Sequence, residues 1–301
     1  MGILFKLFKC YCILSILYIW LTPHIEDLNL KSFYSNVQLN ISQQSLKSVN
    51  LIIAHPDDEV MFFTPTLLQL DDILPTHVPF NVICLSKGVD VDGRAVGDLR
   101  SNEIMDSLTM LLGHRRAGLN REVKLHQFEY EDGMDKQWDI SKVVTDIQNT
   151  ISMESNVDGL KHWLLTFDAQ GVSEHPNHIA CYDAMMTLKQ KSSNPGDYLL
   201  MTLNSYGSNI ILKYSSFLPV VFKLLINIIN DKFRIFELKQ VPFLSMHKEH
   251  DQIQFINTFP HYIMALSSML NSHTSQMVWF RYGWWSFSRF VFVNDLHIID
   301  L

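Results

Sequence analysis

The chain has 301 residues, enough for one large α/β domain or two small ones, and 47% of them are hydrophobic. Its formal net charge of −7 argues against binding nucleic acid through general electrostatics, but leaves room for a basic pocket that takes one phosphorylated ligand. The four cysteines have neither the density of a disulfide framework nor a zinc-thiolate spacing, which is typical of a reducing compartment; they are Cys10, Cys12, Cys84 and Cys181.

The first predicted element is an apolar segment, residues 1–22, in which Lys6 and Lys9 precede the most apolar stretch. We predict a membrane anchor, because Ile3 to Leu21 come close to the about 20 apolar residues that a transmembrane helix needs. Two alternatives remain open. A cleaved signal peptide would have the right charge and core length, but bulky residues stand where a small-residue cleavage site is expected. A buried amphipathic helix is also compatible with the segment.

Residues 23–46 are polar and aperiodic and begin with Pro23, so we predict a linker that leads to one folded domain at 47–301. Within this linker, Asn40-Ile41-Ser42 is an N-glycosylation acceptor, which has meaning only if the segment faces a lumen. Glycosylation of Asn40 would therefore report the side of a membrane on which the domain lies.

From residue 48 onwards, short apolar segments alternate with amphipathic ones. Strands are predicted at the apolar runs 49–54, 80–85, 123–128, 163–167 and 198–203. Helices are predicted between them, at 59–72 with a break near Pro65, and at 99–112, 138–153 and 178–191. This alternation predicts an α/β fold: a Rossmann-like, mostly parallel sheet with helices on both faces, preceded by the N-terminal transmembrane segment.

The C-terminal third is less regular and is strongly apolar in two places. Lys213, Pro219 and Lys223 interrupt residues 210–230, so a second membrane span is not expected there. The segment fits either the protein core or a surface that dips into lipid. Residues 278–289 mix aromatic side chains with arginines, a composition typical of a membrane interface and also of a packed edge.

Two polar clusters follow the first and fourth predicted strands. The first is His55-Pro56-Asp57-Asp58-Glu59, and the second is His175-Pro176-Asn177-His178. Imidazole nitrogens and carboxylate oxygens are zinc ligands, and the carboxyl ends of parallel strands are where ligands bind. Helix capping alone would explain the acids, at about 0.3–1 kcal/mol each, but not the histidines or the second loop. The sequence therefore predicts that the two His-Pro loops converge on one crevice.

These motifs carry a resemblance to a known family. Ala54-His55-Pro56-Asp57-Asp58-Glu59 and the segment from Thr166 to His178 resemble the two signatures of the LmbE-like zinc de-N-acetylases. The chain is most similar to the eukaryotic membrane branch of that family, which acts on N-acetylglucosaminyl-phosphatidylinositol. Features of that branch are Gly133-Met134, Gln137-Trp138-Asp139, and Ser272-His273-Thr274-Ser275-Gln276 followed by Trp279-Phe280-Arg281.

The resemblance implies a zinc-dependent amide hydrolase. His55, Asp58 and His178 would bind Zn²⁺, or another divalent metal, and so lower the pKa of a bound water toward about 7. Asp57 would act as general base on that water, which attacks the acetamide carbonyl. Protonated His175 would help to stabilise the tetrahedral oxyanion.

Supporting residues are implied in the same way. Asp168 would orient one of the histidines, and Glu59 would stabilise the loop or the start of the helix rather than react. Glu174 stands where the family usually has glycine, a departure that bears on the loop geometry and on the pKa of His175. His247 and His250 form a His-x-x-His, but such a pair on a polar helix is more often a surface feature than a metal site.

Three residues are predicted to contact the substrate. Arg100 begins the family's Arg-x-x-Glu and is a candidate for phosphate or sugar, because a guanidinium suits bidentate phosphate contact. A surface ion pair with Glu103 is the alternative. Asp132 is a candidate for sugar hydroxyls, although a solvated turn is equally compatible. His273 is assigned to the substrate side, with a structural role left open.

The implied reaction is hydrolysis of the N-acetyl group of N-acetylglucosaminyl-phosphatidylinositol to glucosaminyl-phosphatidylinositol and acetate, the second step of glycosylphosphatidylinositol (GPI) anchor biosynthesis. The expected partners are this glycolipid and the bilayer, with no nucleic acid. The resemblance places the domain on the cytosolic face of the endoplasmic reticulum membrane, behind a single span. The positive-inside rule points the other way, because Lys6 and Lys9 precede the apolar run and Glu26 and Asp27 follow it.

Two other functions are also compatible with the sequence. One is a soluble or secreted de-N-acetylase of another N-acetylglucosamine conjugate, which an intact N-terminal segment on the mature protein would disfavour. The other is a non-catalytic subunit that only binds the glycolipid, against which stands the presence of every expected ligand and of the base.

Overall fold

One mixed β-sheet organises the part of the chain that the computed structural model describes, residues 2–37, 46–89, 98–113, 121–153, 161–192, 195–233 and 251–299. These residues contribute seven strands, in the order β3-β2-β1-β4-β5-β7-β6. The strands are β1 (Leu46–Ile53), β2 (Phe80–Cys84), β3 (Val123–Gln127), β4 (Lys161–Phe167), β5 (Tyr198–Leu203), β6 (Gln252–Ile256) and β7 (Val293–Ile299). The pairs among β1 to β5 are parallel, whereas β7 runs antiparallel to both β5 and β6.

Strand β1 lies near the middle of the sheet and is buried on both faces, which explains its apolar sequence. Leu51 of β1 lies opposite Val82 of β2 and Leu165 of β4. Because β1 and β4 are parallel neighbours, the residues that follow their C-terminal ends leave the sheet side by side. This arrangement places the two predicted His-Pro loops next to each other.

The predicted α/β fold with a mostly parallel sheet is confirmed, and each of the five predicted strands is present with bounds shifted by at most a few residues. Strands β6 and β7 were not predicted. In β7 the polar residues Asn294, Asp295 and His297 interrupt the apolar pattern. An antiparallel strand near a sheet edge does not need the continuous apolar run that marks a buried parallel strand.

Eleven α-helices lie in the described residues: α1 (Ile3–Val37), α2 (Asp58–Phe62), α3 (Thr64–Ile73), α4 (Leu99–Leu112), α5 (Ile140–Met153), α6 (Gly171–Glu174), α7 (Pro176–Lys191), α8 (Ile210–Lys213), α9 (Leu218–Phe233), α10 (Phe259–Asn271) and α11 (Trp279–Phe287). The predicted break near Pro65 is present between α2 and α3. Pro65 lies in the first turn of α3, where its missing N–H removes no helical hydrogen bond.

The helices form two layers around the sheet. Helices α5 and α7 pack on each other, and α7 also packs on β4. Helices α3, α4 and α10 form a second group, in which α3 contacts β6 and β7. Successive residues of a strand point to opposite faces, so the continuous burial of β1 requires cover on both sides.

Helix α1 continues through Pro23 to Val37 and so crosses the predicted boundary between anchor and linker. Its second half packs on the edge strand β6, where Asn29 exchanges two hydrogen bonds of 2.8 Å with the backbone of Ile256. Ser32 Oγ accepts the backbone N–H of Gln254 at 2.8 Å. The structure therefore corrects the predicted linker over residues 23–37, which are helical and bonded to the sheet. Residues 38–45, with the Asn40 sequon, lie outside the described residues.

Among the described residues, no helix combines the length and the apolar character that a membrane span requires, so the predicted anchor at 1–22 is not confirmed. The other apolar segment, residues 210–230, falls within α8 and α9. There Val220 and Leu224 are buried in the core, whereas Ile211 and Phe222 are exposed. This segment therefore contributes to the core and to the surface at once.

Candidate active site

The two His-Pro loops meet in a cavity of about 240 Å³ at the C-terminal ends of β1 and β4. Most of the predicted site residues line it: His55, Asp57, Asp58, Arg100, Asp132, His175 and His178. Glu59, Asp168 and His273 are not part of the lining. His247 and His250 lie outside the described residues.

Three of the lining side chains converge on one point. His178 Nε2 is 3.3 Å from both His55 Nδ1 and Asp58 Oδ1, and His55 Nδ1 is 3.7 Å from Asp58 Oδ2. Ligands bound tetrahedrally to zinc at about 2.0–2.1 Å lie roughly 3.3 Å from one another. All three residues are buried, and together they fit a divalent metal with three protein ligands and one open position. The same donor set suits zinc and other divalent transition metals.

Neighbouring groups fix the orientation of these ligands. The backbone N–H groups of Ala54 and His55 donate to Asp58 Oδ2, at 3.1 and 2.8 Å, and leave Oδ1 for a metal. His178 Nδ1 lies 2.9 Å from the carbonyl oxygen of Gly171, so it carries the proton and Nε2 is free to ligate. The ring of Phe167 stacks on that of His178 with a centroid separation of 4.1 Å.

The electrostatics of the cluster favour a cation. Burial lowers the pKa of His55, but hydrogen bonds to Asp132 and Asp58, together with their charges, outweigh it and raise that pKa to about 10. Burial opposes ionisation of Asp58, yet the charges of His178 and His55 and their hydrogen bonds hold the pKa of Asp58 well below its usual range. Without a metal, the cluster thus keeps an ionised carboxylate and a proton, which a metal ion would replace.

Asp132 is the carboxylate that orients a metal-site histidine. Its Oδ1 atom is 3.0 Å from His55 Nε2, which directs His55 Nδ1 toward Asp58 and His178. The sequence assigned this kind of contact to Asp168 and gave Asp132 a sugar contact. His55, Asp132 and His175 also form a second group with spacing suited to a metal, because His55 can present either ring nitrogen.

Asp168 instead stabilises the loop that precedes His175. Its Oδ1 atom accepts the backbone N–H of Gly171 at 3.1 Å, and its Oδ2 atom accepts that of Ser205 at 2.6 Å. Because Gly171 in turn accepts a hydrogen bond from His178, Asp168 supports that histidine only through the backbone. The prediction of a direct contact between Asp168 and a histidine is therefore wrong.

The same loop adopts an unfavourable backbone conformation. Val172 and Glu174 have φ angles of 59° and 60°, in the left-handed region that L-residues with a side chain rarely occupy. Glu174 is exposed, so its side chain fills no space that glycine would leave open. The φ angle explains why glycine is the usual residue of the family at this position.

Asp57 lies beside the cluster of His55, Asp58 and His178. Its backbone φ angle is 112°, again in the left-handed region. Arg100 Nη2 is 3.3 Å from its Oδ1 atom, and Arg281 Nη2 is 3.1 Å from its Oδ2 atom. Despite this proximity, Oδ2 is buried and accepts no hydrogen bond from the described residues. Asp57 therefore presents an oxygen with an open acceptor position to the cavity.

Glu59 and His273 support the Asp57 backbone from outside the cavity lining. Glu59 Oε2 accepts the N–H of Asp57 at 3.0 Å, and its Oε1 atom bonds both His273 Nε2 and Ser107 Oγ at 2.6 Å. Both side chains of the Glu59–His273 pair are fully buried. The prediction that His273 contacts the substrate is therefore corrected to a structural contact, whereas the stabilising position predicted for Glu59 is the one observed.

His175 lines the same cavity and is half-buried. Its Nδ1 atom accepts the backbone N–H of Asn177 at 3.2 Å, so the neutral ring carries its proton on Nε2, 4.0 Å from Asp132 Oδ1. Burial, with the charges of His55 and His178, lowers the pKa of His175 to about 4. Both observations correct the expected protonated form: the ring is neutral at pH 7 and offers a single N–H.

Arg100 is locked into the protein. It is buried, its Nη1 atom donates to the carbonyl oxygen of Val89 at 2.9 Å, and its Nη2 atom donates to that of Pro56. Glu103 pairs elsewhere, since it accepts hydrogen bonds from the backbone and hydroxyl of Ser275 at 2.8 and 2.6 Å. The alternative of a surface ion pair between Arg100 and Glu103 is therefore wrong, and Arg100 shapes the cavity wall.

Five lining residues were not predicted as site residues, and two of them have polar side chains, Gln276 and Arg281. Both come from the far end of the chain, and Arg281 was noticed only within Trp279-Phe280-Arg281, without a role. The signal that could have found it is an arginine directly beside the aromatic residues Phe280 and Tyr282.

The part of the chain that carries the site is similar in sequence to a known family. A family model described as "PIG-L: GlcNAc-PI de-N-acetylase" matches residues 50–189, the segment that carries both His-Pro loops.

Similar proteins are found among solved structures and curated sequences. N,N'-diacetylchitobiose deacetylase from Pyrococcus horikoshii aligns over 90% of this chain and 91% of that chain, with a TM-score of 0.48 and 15% identity. N-acetylglucosaminyl-phosphatidylinositol de-N-acetylase from Bos taurus is 28% identical over 251 residues, 83% of this chain and 82% of that protein. The protein of that name from Saccharomyces cerevisiae is 38% identical over 304 residues, 98% of this chain and 95% of that protein. The chain therefore belongs to the GlcNAc-PI de-N-acetylase family.

Proposed function

We propose that this chain hydrolyses the N-acetyl group of N-acetylglucosaminyl-phosphatidylinositol, giving glucosaminyl-phosphatidylinositol and acetate, the second step of GPI-anchor biosynthesis. The observation that carries the proposal is the buried cluster of His55, Asp58 and His178 with Asp57 beside it in one small cavity. The names of the relatives from yeast and cattle support the substrate.

His55, Asp58 and His178 hold a divalent metal, which we take to be zinc from the mixed nitrogen and oxygen donors. When bound, the metal supplies Lewis acidity to water and to the acetamide carbonyl. Asp132 and the Gly171 carbonyl keep both imidazoles in the tautomer that ligates.

Asp57 acts as the general base. Its Oδ2 atom has an open acceptor position, so it takes a proton from the water that attacks the acetamide carbonyl. The proton then passes to the sugar nitrogen as the carbon–nitrogen bond breaks. Glu59 and Arg100 keep the Asp57 carboxylate in position through its backbone N–H and its Oδ1 atom.

His175 stabilises the negative charge that develops on the carbonyl oxygen. As a neutral imidazole it donates the Nε2 proton as a hydrogen bond, and it needs no positive charge of its own to do so. A role that needs the protonated ring would be lost above the pKa of His175, which is about 4. The neutral ring keeps its Nε2 proton above that pH and can still donate.

The substrate sets the location of the enzyme. Its acyl chains hold it in a bilayer, so the cavity must open toward a membrane surface, which we place at the cytosolic face of the endoplasmic reticulum. Glycosylation of Asn40 would contradict this side, since the acceptor sequence is modified only in the lumen.

The test is the Asp57→Asn variant of the full chain, assayed for acetate release from the glycolipid in mixed micelles. We expect turnover to fall roughly 10²- to 10⁴-fold, the usual contribution of a general base, while the metal content stays the same. Asp135→Asn is the matched control, because the Asp135 side chain is 83% exposed. Full activity of Asp57→Asn would contradict the mechanism.

The same assay separates the rival functions. Equal turnover of soluble N-acetylglucosamine conjugates and of the glycolipid would indicate a general de-N-acetylase. Binding of the glycolipid without release of acetate would indicate a non-catalytic subunit.

A further inference from the structure

Arg281 stands between two cavities. The active cavity and a second one of about 470 Å³ share Met61 and Arg281 in their linings. The second cavity is otherwise mainly aromatic, with walls formed by Tyr214, Phe280, Trp284 and Phe287. One guanidinium group thus separates a polar compartment from an apolar one.

The donors of Arg281 are only partly used, because one terminal nitrogen forms an ion pair with Asp57 and the other contacts a thioether. Its Nη1 atom contacts the thioether of Met61, a poor acceptor. Its Nη2 atom lies 3.1 Å from Asp57 Oδ2 without hydrogen-bond geometry. The side chain is 18% exposed, against 4% for Arg100, whose two terminal nitrogens already donate to carbonyl oxygens. Arg281 is therefore the better placed of the two to bind an anion.

The second cavity opens among exposed apolar side chains. On α11, Phe280 and Phe287 are exposed by 55% and 61%. Helices α8 and α9 adjoin this face, because Ser216 N donates to the Phe287 carbonyl at 2.9 Å, and there Ile211 is 83% exposed. Aromatic and aliphatic side chains beside a cation are the surface that an amphiphile with an anionic head group would recognise.

We propose that Arg281 binds the phosphodiester of the substrate and that the second cavity takes the glycerol and the first part of the acyl chains. This inference rests on the proposed function. Along the glycolipid the order is amino sugar and inositol, then phosphate, then acylglycerol. Along the protein the order is the His55–Asp58–His178 cluster, then Arg281, then the apolar cavity. The order of polar, charged and apolar groups is therefore the same on the substrate and on the protein.

The experiment compares three substrates with the full-length protein loaded with zinc. They are the glycolipid in mixed micelles, its deacylated glycerophosphoinositol form, and N-acetylglucosaminyl-inositol, which has neither phosphate nor lipid. We expect Arg281→Gln to lower kcat/KM for the two phosphate-containing substrates roughly 10- to 100-fold more than for the third, the size of a charge-assisted contact. Arg281→Lys, which keeps the charge and loses the planar fork, should recover part of this difference.

A decrease in kcat/KM that is common to the three substrates measures the contact of Arg281 with Asp57. The additional decrease for the two phosphate-containing substrates measures phosphate recognition. An equal loss for all three, or no loss, would overturn the inference while leaving the proposed function intact. If the unaltered protein turned over none of them, the proposed function would fail and the inference with it. Lys191→Gln, an exposed change at the end of α7, serves as the control that should behave like the unaltered protein.

The apolar cavity is tested separately. Because Phe280 and Phe287 are exposed, Phe280→Ser and Phe287→Ser remove little core packing. We expect each to raise KM for the glycolipid several-fold relative to its deacylated form, in line with lost apolar contact. Equal changes in KM for both substrates would overturn the assignment of the acylglycerol to this cavity.

Discussion

The two ring nitrogens of His55 have separate tasks. Nε2 is held by Asp132 at 3.0 Å, and Nδ1 faces Asp58 and His178. Because the two carboxylates raise the pKa of His55 to about 10, the metal-free protein keeps a proton there at pH 7. Metal and proton therefore compete for this histidine.

Metal affinity should consequently rise with pH. Below pH 10 the raised pKa leaves His55 protonated, so each bound ion displaces one proton, and the association constant should increase about tenfold per pH unit between pH 7 and 9. Calorimetric titration of the metal-free protein in buffers of different ionisation enthalpy would count the released proton. An affinity that does not change over this range would contradict the prediction.

At the residue scale, the sequence predicted what lies within contiguous motifs. His55, Asp57, Asp58, His175 and His178 meet as expected, because each lies in a loop or helix start that follows a predicted parallel strand. It could not distinguish Asp132 from Asp168, since which carboxylate reaches His55 depends on how two loops fold over the sheet edge. It also could not show that His273 is fully buried against Glu59.

At the scale of elements, Arg121 fastens the end of α3 to the start of β3. Its Nε atom pairs with Asp71 at 2.7 Å, and its terminal nitrogens donate to four carbonyl oxygens, those of Asp71, Leu74, Pro75 and Val78. The guanidinium also lies 4.3 Å from the ring centroid of Phe80. Every donor of this buried cation is used, so it acts as the C-terminal cap of α3.

Arg121→Met should lower the free energy of unfolding by about 3–5 kcal/mol, because it removes the buried cation that pairs with Asp71 and binds four carbonyl oxygens. Urea denaturation would measure the change. Lys124 lies in β3, three residues after Arg121, and its side chain is 38% exposed. Lys124→Met should therefore change the free energy of unfolding by no more than about 0.5 kcal/mol. Equal effects of the two substitutions would show that the cap contributes nothing specific.

The elements themselves were predictable where burial imposes a pattern. Five strands and the break at Pro65 follow from apolar runs and a proline, and all are observed. Strand β7 was not predicted because its polar residues interrupt the apolar run; Asn294, Asp295 and His297 are bonded to other protein groups. Helix α1 was divided at Pro23, because the contacts that keep residues 24–37 helical come from β6, more than 200 positions away.

At the scale of the whole molecule, α1 joins the beginning of the chain to its last part. The edge strand β6 would expose unpaired backbone groups, and α1 covers it. Asn29 satisfies both the N–H and the carbonyl of Ile256 across 227 positions of sequence.

Asn29→Ala should therefore lower the free energy of unfolding by roughly 1–3 kcal/mol, since the buried N–H of Ile256 loses its partner and the Ile256 carbonyl keeps only Gln69 Nε2, at 3.3 Å. Hydrogen exchange should report faster exchange at the Ile256 amide, and urea denaturation should report the global change. Asn271→Ala removes only an exposed contact within α10 and should be nearly neutral. Unchanged protection at Ile256 would contradict the role assigned to Asn29.

The contact between α1 and β6 also sets the timing of folding during synthesis. Tyr18 donates to the Asn257 carbonyl at 2.6 Å, a partner made 239 residues later. At about 5–20 residues per second, that delay is roughly 10–50 s. For this interval α1 lacks its contacts with β6 and α10, so side chains that the finished fold buries, among them Leu21 and Ile25, are less covered. Chaperones that meet the emerging chain therefore encounter more apolar surface on α1 than the folded chain displays.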